Sequence, residues 1–252
     1  MTDTIELQPS PLDSHRFGII VERGRFDVGV RTDDVVAAVK RSSADLIILR
    51  LPAGQSDIAT GLLAHGEAIF HADTLVYHGV TLPAPTARAA GNVRRALASD
   101  RDAIAAIAKR SFRNYKAHYA ANPLLPQDAV LQGYVEWAQS RLDAEVPAQA
   151  TWVVVDAGQV AGFATCDVSE RQVEIVLNAV DPAFERRGHY GALLSHLMHY
   201  YSSTGLERLI ISTQIWNYTV QRQWARAGLL LDAAYDTYHV ERRLSARGEK
   251  GT

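Results

Sequence analysis

The chain has 252 residues, of which 47% are hydrophobic and 21% are charged, enough for one large domain or two small ones with a core. The formal net charge is −2, so the chain lacks the excess of basic residues that is typical of nucleic-acid-binding proteins. No apolar run approaches the roughly 20 residues of a membrane span, the amino-terminal segment lacks a secretory-signal pattern, and the single cysteine, Cys166, permits neither an intrachain disulfide nor a thiolate metal cage. We therefore expect a cytoplasmic protein that holds no metal and binds neither nucleic acid nor membrane.

The first 85 residues alternate between strand and helix patterns, which predicts a small α/β half. The predicted elements are strands at 16–21, 45–51 and 72–82 and helices at 32–41 and 56–64. The chain then becomes rich in small residues and contains prolines, so residues 86–92 are the predicted linker. A catalytic domain is expected at 93–244 and a disordered tail at 245–252.

The sequence pattern of the expected catalytic domain predicts a longer series of helices and strands. In chain order these are a strand at 93–97, a helix from 99 to 112 capped by Ser99 and Asp102, a helix at 128–142, a hairpin turning at 156–159, a strand at 173–180, a helix from 189, a strand at 208–213, a helix at 217–227 and a final strand pair ending near 243.

A basic turn connects the strand that ends at Val180 to the helix that follows Gly188. The start of such a helix presents backbone N–H groups and a positive dipole end, which favours an anion of phosphate type. Arg186 and Arg187 add positive charge. Later in the helix, His196 and His199 are expected on the polar face in solvent.

The element order from residue 93 onward resembles the Gcn5-related N-acetyltransferase fold. Residues 174–194 resemble the segment that binds the acyl-CoA pyrophosphate, 208–217 resemble the next strand and its asparagine turn, and 220–228 resemble the short helix beside the thiol. The resemblance implies an α/β (α+β) fold with a mixed, mostly antiparallel central sheet and helices on both faces.

The amino-terminal part shows a narrower resemblance to TDP-fucosamine N-acetyltransferases. It is carried by Leu-Asp-Ser-His-Arg-Phe-Gly at 12–18, by Asp-Thr-Leu-Val-Tyr at 73–77, by Phe112 and by Tyr-Val-Glu-Trp at 134–137. Because those enzymes pair a degenerate amino-terminal half with a catalytic half, residues 1–85 are expected to form a smaller, degenerate half of the same kind.

The resemblance also implies a donor site for acyl-CoA as co-substrate, or for the phosphopantetheine of a carrier protein. The implied donor-binding residues are Leu177, Asn178, Ala179, Val180, Arg186, Arg187, Gly188, His189, Tyr190, Gly191, Asn217 and Trp224.

Two features depart from the family pattern. The turn usually has the form Arg/Gln-x-x-Gly-x-Gly/Ala, but here Glu185 replaces the first residue and Tyr190 the small one. Tyr190 falls on the apolar helix face, where packing can absorb it. The tyrosine that protonates the departing thiolate in related enzymes is replaced by Trp224, whose indole gives up no proton near neutral pH. We therefore expect no dedicated general acid.

Transfer of an acyl group to an amine needs a polarised carbonyl, an unprotonated amine and a thiolate that can leave. The resemblance assigns the first task to the backbone of a splayed strand at 178–180. Glu174 is the candidate base, directly or through water; the alternative is a charge at the strand edge in solvent. His118 is a second catalytic candidate, because an imidazole can accept a proton near neutral pH.

Tyr115, Tyr119 and Trp137 lie where this family builds its acceptor pocket, so they are candidates for stacking on a sugar or heterocycle. For Trp137, ordinary core packing with Tyr134 is an equal alternative.

These features favour an N-acyltransferase that uses acyl-CoA and the amine of a small molecule, such as an amino sugar, a nucleotide-linked amine or a natural-product intermediate. One alternative keeps the chemistry but takes the acyl group from an acyl carrier protein, whose acidic helix would meet Arg186 and Arg187. Another is a non-catalytic acyl-CoA-binding module. A monomer and a homodimer are both compatible with the sequence.

Overall fold

The structure, a computed structural model, describes residues 5–82, 91–142 and 148–244. These residues form two compact units that alternate along the chain. Unit 1 takes the described residues up to Val76, Lys116–Ala129 and those from Ala233; unit 2 takes those within Tyr77–Tyr115 and Val130–Asp232. The predicted linker and tail fall mostly or wholly outside the described residues, and the predicted domain boundaries stay a prediction.

The described residues contain α-helices of seven to 15 residues. They are α1 (Pro11–Phe17), α2 (Thr32–Arg41), α3 (Ser56–Ala64), α4 (Arg101–Phe112), α5 (Gln127–Gln139), α6 (His189–Ser203) and α7 (Tyr218–Arg226). Within these ranges, no helix combines the length and the apolar character that crossing a bilayer requires.

The strands run through both units. They are β1 (Gln8–Pro9), β2 (Val21–Arg25), β3 (Leu46–Pro52), β4 (Ile69–Thr81), β5 (Val93–Arg95), β6 (Gln149–Asp156), β7 (Gln159–Ser169), β8 (Gln172–Val180), β9 (Arg208–Gln214) and β10 (Leu230–Glu241).

In unit 1 the strands lie in the order β1-β2-β3-β10-β4. β2 and β3 are parallel, whereas β1 with β2 and β3 with β10 are antiparallel. Both faces of β3 are buried: Ile47 and Leu49 pack into the core with α2 and α3, and Leu46 and Ile48 pack on the opposite side with Leu125. This explains why β3 is an uninterrupted apolar run in the sequence.

In unit 2 the strands lie in the order β4-β9-β8-β7-β6-β5. β8 and β9 are parallel, and the pairs from β5 to β8 are antiparallel. One face of this sheet packs on α6 and α7 through residues such as Leu197 and Trp224, and the other packs on α4 through Ile104 and Ile107. The mixed, mostly antiparallel sheet with helices on both faces is therefore confirmed.

Two predicted elements of unit 1 are wrong. The strand expected at 16–21 overlaps α1, which has Pro11 in its first turn and ends where Gly18 takes a left-handed conformation with φ 66°. The strand pair expected at the carboxyl end is the single strand β10. By contrast, the helices expected at 32–41 and 56–64 are confirmed with the same bounds.

The start of α4 is capped differently from the expectation. A 3-10 turn, Ala98–Asp100, precedes the helix, and the Asp100 carboxylate accepts the Leu97 N–H at 2.7 Å and pairs with Arg94 at 2.6 Å. These two contacts hold the pKa of Asp100 below its usual range, the bond to Arg94 contributing most. Asp100 thus takes the acidic position of the capping pattern that the sequence assigned to Asp102, and no side-chain hydrogen bond caps α4 itself.

Candidate active site

Strand β8 changes its pairing at Val176. The antiparallel register with β7 skips this residue, which forms a β-bulge, and the parallel register with β9 ends with Ile175 opposite Ile211. Residues 176–180 therefore keep β7 as a partner while their register with β9 has ended. This is the splayed strand that the family resemblance implied, and it leaves backbone groups on the β9 side available to a ligand.

The bulge also changes the helix layer that the side chains of β8 face. Before it, Ile175 packs into the core beside α6 and α7; after it, Leu177 packs into the core beside α4. Because side chains alternate along a strand, Glu174 lies on the α4 face of the sheet and Asn178 on the α6 face. Ala179 is buried like Leu177, so backbone groups rather than these two side chains are what the end of β8 can offer a ligand.

The turn before α6 contains two residues with positive φ, Arg186 at 62° and Gly188 at 83°. Gly188 is the N-cap of the 15-residue helix, and a Cβ added to it would meet no atom within 4 Å. The helix start thus combines unpaired N–H groups, a positive dipole end and open space beside Gly188 and the exposed Gly191. An anion of phosphate type fits this geometry.

A buried carboxylate anchors the beginning of this turn. Asp181 accepts the Ala183 N–H at 3.1 Å and forms an ion pair with Arg110 of α4. Burial raises the pKa of Asp181, but the bonds from Arg110 and Ala183 outweigh it and leave the pKa below its usual range. The ionised carboxylate therefore holds the end of β8 to α4.

Asp156, at the end of β6, orders two of the predicted donor-binding residues. Its carboxylate contacts the His189 ring at 3.0 Å and accepts from the Arg187 guanidinium at 3.2 Å. His189 and Arg187 together hold the pKa of Asp156 below its usual range. Arg187 also lies 5.2 Å above the Phe184 ring. Asp156 could not be identified from its neighbours in the sequence, because strand pairing brings it to the turn.

Tyr190 and Trp224 connect the first turn of α6 to α7. The buried Trp224 indole N–H donates to the Tyr190 hydroxyl at 2.7 Å. Tyr190 packs on the core beside α6, which confirms that packing absorbs this departure from the family pattern. Burial raises the pKa of Tyr190 well above its ordinary value. The ring of the buried His78 lies edge-on to that of Trp224 at 5.1 Å, and burial lowers the pKa of His78.

A polar cluster forms where β9 ends. The Tyr115 hydroxyl donates to Gln214 Oε1 and lies 3.2 Å from Thr213 Oγ1. Asn217, the N-cap residue of α7, donates to the same Thr213 hydroxyl at 3.0 Å. The predicted donor-binding Asn217 and the predicted acceptor-binding Tyr115 are therefore brought together at this strand end.

An aromatic row extends from Tyr115 along the α4 side of unit 2. The Phe112 and Tyr134 rings are stacked at 4.7 Å, and Tyr115 packs edge-on against both. Trp216 is tilted against Tyr115 at 5.3 Å, and Trp137 lies 6.2 Å from Tyr134. Both tryptophans are 39% exposed, so the row has an outward surface, as stacking on a ring-shaped acceptor requires.

Glu174 is half-buried two residues before the bulge. It is paired with Asp167 on one side and Ile210 on the other. The Asp167 carboxylate in turn accepts two bonds from Arg141, at 3.0 and 2.7 Å. Glu174 and the aromatic row both lie on the α4 face of the unit 2 sheet, which suits a base that acts on an acceptor; that role stays a prediction.

His118 and Tyr119 belong to unit 1. The His118 Nδ1 lies 2.9 Å from His239 Nε2, and burial lowers the pKa of His118 well below its ordinary value. Tyr119 donates to Asp13 at 2.9 Å and accepts from Arg23, and burial raises its pKa to about 12. These contacts do not favour proton uptake by His118 near neutral pH. The catalytic role of His118 and the substrate contact of Tyr119 stay predictions.

The expectation for the two histidines of α6 needs correction. His196 is buried, with its ring 5.1 Å from that of Trp152, whereas His199 is half-buried. Trp152 comes from β6, so the sequence around α6 holds no sign of it. Cys166 is fully buried, and burial raises the pKa of its thiol to about 12, as suits a small strand residue that stays protonated. Among the described residues, no group of His, Cys, Asp and Glu is arranged to hold a metal ion.

The sequence and the fold match known acetyltransferases. Residues 103–229, half of the chain, match the acetyltransferase (GNAT) family. A curated relative, the spore coat polysaccharide biosynthesis protein SpsD of Bacillus subtilis (strain 168), is 27% identical over 141 residues, which are 56% of this chain and 47% of that protein. The chain thus spans about half the length of this relative.

Solved structures agree on the fold. A GCN5-related N-acetyltransferase from Sphaerobacter thermophilus has a TM-score of 0.53 at 18% identity, and the match covers 78% of this chain and 60% of that protein's chain. A GCN5-related N-acetyltransferase from Kribbella flavida has a TM-score of 0.53 at 14% identity, and the match covers 88% of this chain and 81% of that protein's chain. A mixed sheet with a bulged, splayed strand and a helix-capping glycine turn defines the acetyltransferase class, and the chain belongs to the GNAT acetyltransferase family.

Proposed function

We propose that the protein transfers an acyl group from acyl-CoA to the amine of a small molecule. The observation that carries this proposal is the loss of register between β8 and β9 after Ile175, close in sequence to the open turn at Gly188. The first feature supplies backbone groups to a thioester, and the second supplies an anion site to its diphosphate.

The chain's residues divide the work as follows. The N–H groups that follow Gly188, together with Arg186, bind the diphosphate, while Asp156 holds Arg187 and His189 in place. The backbone of 177–180 polarises the thioester carbonyl. Glu174 accepts the proton of the attacking amine, directly or through water.

An amino sugar or a nucleotide-linked amine is the proposed class of acceptor. The partly exposed row of Trp216, Tyr115, Tyr134 and Trp137 offers aromatic faces on which a sugar or base can stack. The SpsD protein is named for polysaccharide biosynthesis, which supports a sugar in particular.

A carrier-protein donor is the second candidate. The observation in its favour is the charge around the turn: Glu185 is exposed, and Arg187 is already paired with Asp156. The turn therefore offers less positive charge to a free diphosphate than two unpaired arginines would. A phosphopantetheine arm places only one phosphodiester there.

The test is acetyl transfer from acetyl-CoA to a panel of amines that includes nucleotide-linked amino sugars and simple alkylamines. We expect turnover with at least one sugar amine and a rise in the melting temperature with free CoA. Turnover with an acetylated carrier protein alone would select the second donor. If CoA raises the melting temperature but no amine is acetylated, the result would favour the alternative of a non-catalytic acyl-CoA-binding module.

A further inference from the structure

Glu174 faces a second carboxylate across the strand pair β7–β8. Its antiparallel partner in the register is Asp167. Paired residues of neighbouring antiparallel strands project to the same face of the sheet, with Cβ atoms about 4.5–5.5 Å apart. Like charges in this position repel each other, which favours the protonated form of a carboxyl group. The charge of Asp167 therefore influences how strongly Glu174 holds a proton.

Arg141, two residues after α5, binds the Asp167 carboxylate with both arms of its guanidinium. Its Nε donates to Oδ1 at 3.0 Å and its Nη2 donates to Oδ2 at 2.7 Å. A third bond, from Nη1 to the Ser140 hydroxyl at 2.7 Å, fixes the guanidinium in place. The Arg141 side chain is only 15% exposed and that of Asp167 is 34% exposed. Solvent therefore screens this ion pair only in part.

The pair lies on the face of the sheet that carries the aromatic row. Phe163, four residues before Asp167 on β7, and Leu142, next to Arg141, both pack into the core beside α4. On the other side of Glu174 the partner in the register is the uncharged Ile210. The ion pair of Asp167 with Arg141 is thus the one directly opposite Glu174.

Other charged or titratable groups on this side of the unit 2 sheet are engaged elsewhere. They include Arg208, the diagonal neighbour of Glu174 on β9, which pairs with Asp232 at 2.6 Å; Arg110 of α4, which pairs with Asp181; and the phenols Tyr115 and Tyr134, which pack in the aromatic row. The residues through which α4 packs on the sheet are apolar.

We propose that Asp167 and Arg141 are positioning residues that set the proton affinity of Glu174, the proposed base. This inference rests on the proposed acyl transfer. While Arg141 neutralises Asp167, the repulsion on the Glu174 carboxylate is small. Glu174 then keeps its ionised form, which accepts the proton of the attacking amine, down to a lower pH. The pair itself makes and breaks no bond.

Removing one or the other partner should act on Glu174 in opposite directions. Arg141→Gln leaves the Asp167 charge uncompensated, so the pKa of Glu174 should rise. Asp167→Asn leaves the guanidinium without its carboxylate, so the pKa of Glu174 should fall. We expect a change of about 0.5 each way, because water screens charges that are partly exposed. A purely structural role of the pair predicts no such opposition.

Arg94→Gln is the matched control. Arg94 binds Asp100 with the same two-bonded geometry, at 2.6 and 3.0 Å, elsewhere in unit 2. The substitution removes the same charge from a similar ion pair that does not lie opposite Glu174. We expect Glu174 to titrate in this variant as it does in wild type.

The measurement is an NMR titration of the ¹³C-labelled Glu174 carboxyl group in the full chain, with the resonance assigned by its loss in Glu174→Gln. We expect the midpoint to move up in Arg141→Gln, to move down in Asp167→Asn and to stay in Arg94→Gln. Equal midpoints in all four proteins, or movement of both test variants in the same direction, would overturn the inference.

Kinetics separate this inference from the proposed function. If Glu174 is the base, the acid limb of the pH profile of kcat/KM should move with the NMR midpoint in each variant. Midpoints that move as expected while the acid limb stays fixed would support the coupling but refute Glu174 as the base.

Discussion

Gly188 has φ 83° and Gly205, just after the other end of α6, has φ 85°; at neither position would a Cβ meet another atom within 4 Å. Substitution by alanine should thus cost each variant about 1 kcal/mol of unfolding free energy through backbone strain alone. Only Gly188→Ala adds a methyl group beside the proposed diphosphate. We expect it to weaken CoA binding at least tenfold in calorimetry, while Gly205→Ala binds as wild type; equal affinities would refute the assignment of the turn.

Glu174 can be tested through the pH–rate profile. If it accepts the amine proton, Glu174→Gln should lower the rate most at low pH, and the deficit should shrink as rising pH deprotonates the amine in solution. Glu170→Gln, which changes an exposed carboxylate in the turn before β8, is the control and should match wild type throughout. A profile for Glu174→Gln with the same shape and height as wild type removes Glu174 as the base.

At the scale of single residues, the sequence predicted what depends on local order and missed what depends on distant neighbours. The turn at Gly188 and the apolar face that carries Tyr190 follow from spacing within one helix. The contacts from Asp156 to Arg187 and from Trp224 to Tyr190 join residues more than 30 positions apart, which only strand pairing and helix packing bring together. The burial of His196 has the same cause.

Strand β10 shows why element boundaries were harder to predict. Asp232 and Asp236 are of a residue type that normally favours turns, but neither ends the strand. In the structure Asp232 pairs with Arg208 at 2.6 Å, and Asp236 accepts from the Thr74 hydroxyl at 2.6 Å and the Gly54 N–H at 3.3 Å. These partners satisfy both carboxylates in an extended chain, and one strand results. The bulge at Val176 was equally invisible, because the apolar run of β8 continues through it.

The buried end of β10 predicts a pH-dependent stability of unit 1. Burial, partly opposed by Glu241, lowers the pKa of His239 from 6.5 to about 4, and the neighbouring His118 also has a lowered pKa. The unfolded chain therefore binds more protons than the folded chain between those two values. Stability should rise with pH across this window, by about 3 kcal/mol for His239 if the whole shift is expressed.

The measurement is urea unfolding monitored between pH 4 and 7. We expect His239→Gln to be less stable at neutral pH but to show a flatter dependence on pH than wild type. The control His15→Gln, which changes an exposed histidine, should keep the wild-type slope. An unchanged slope in His239→Gln would contradict the assignment of the pH dependence to this residue.

For the molecule as a whole, the proposed donor site lies within unit 2. The bulged strand, the glycine turn, the Tyr190–Trp224 pair and the cluster at the end of β9 all belong to that unit. The sequence was sufficient to predict the elements of unit 2, because they follow one another closely and each has a clear periodicity of hydrophobic residues. It was less informative about unit 1, which gathers three separate segments of the chain.

The most direct test of this account is a crystal structure of the protein with CoA. We predict the diphosphate at the N-terminus of α6 beside Gly188 and the pantetheine along residues 177–180 of β8. CoA bound elsewhere, or a sulfur remote from the splayed strand, would contradict it.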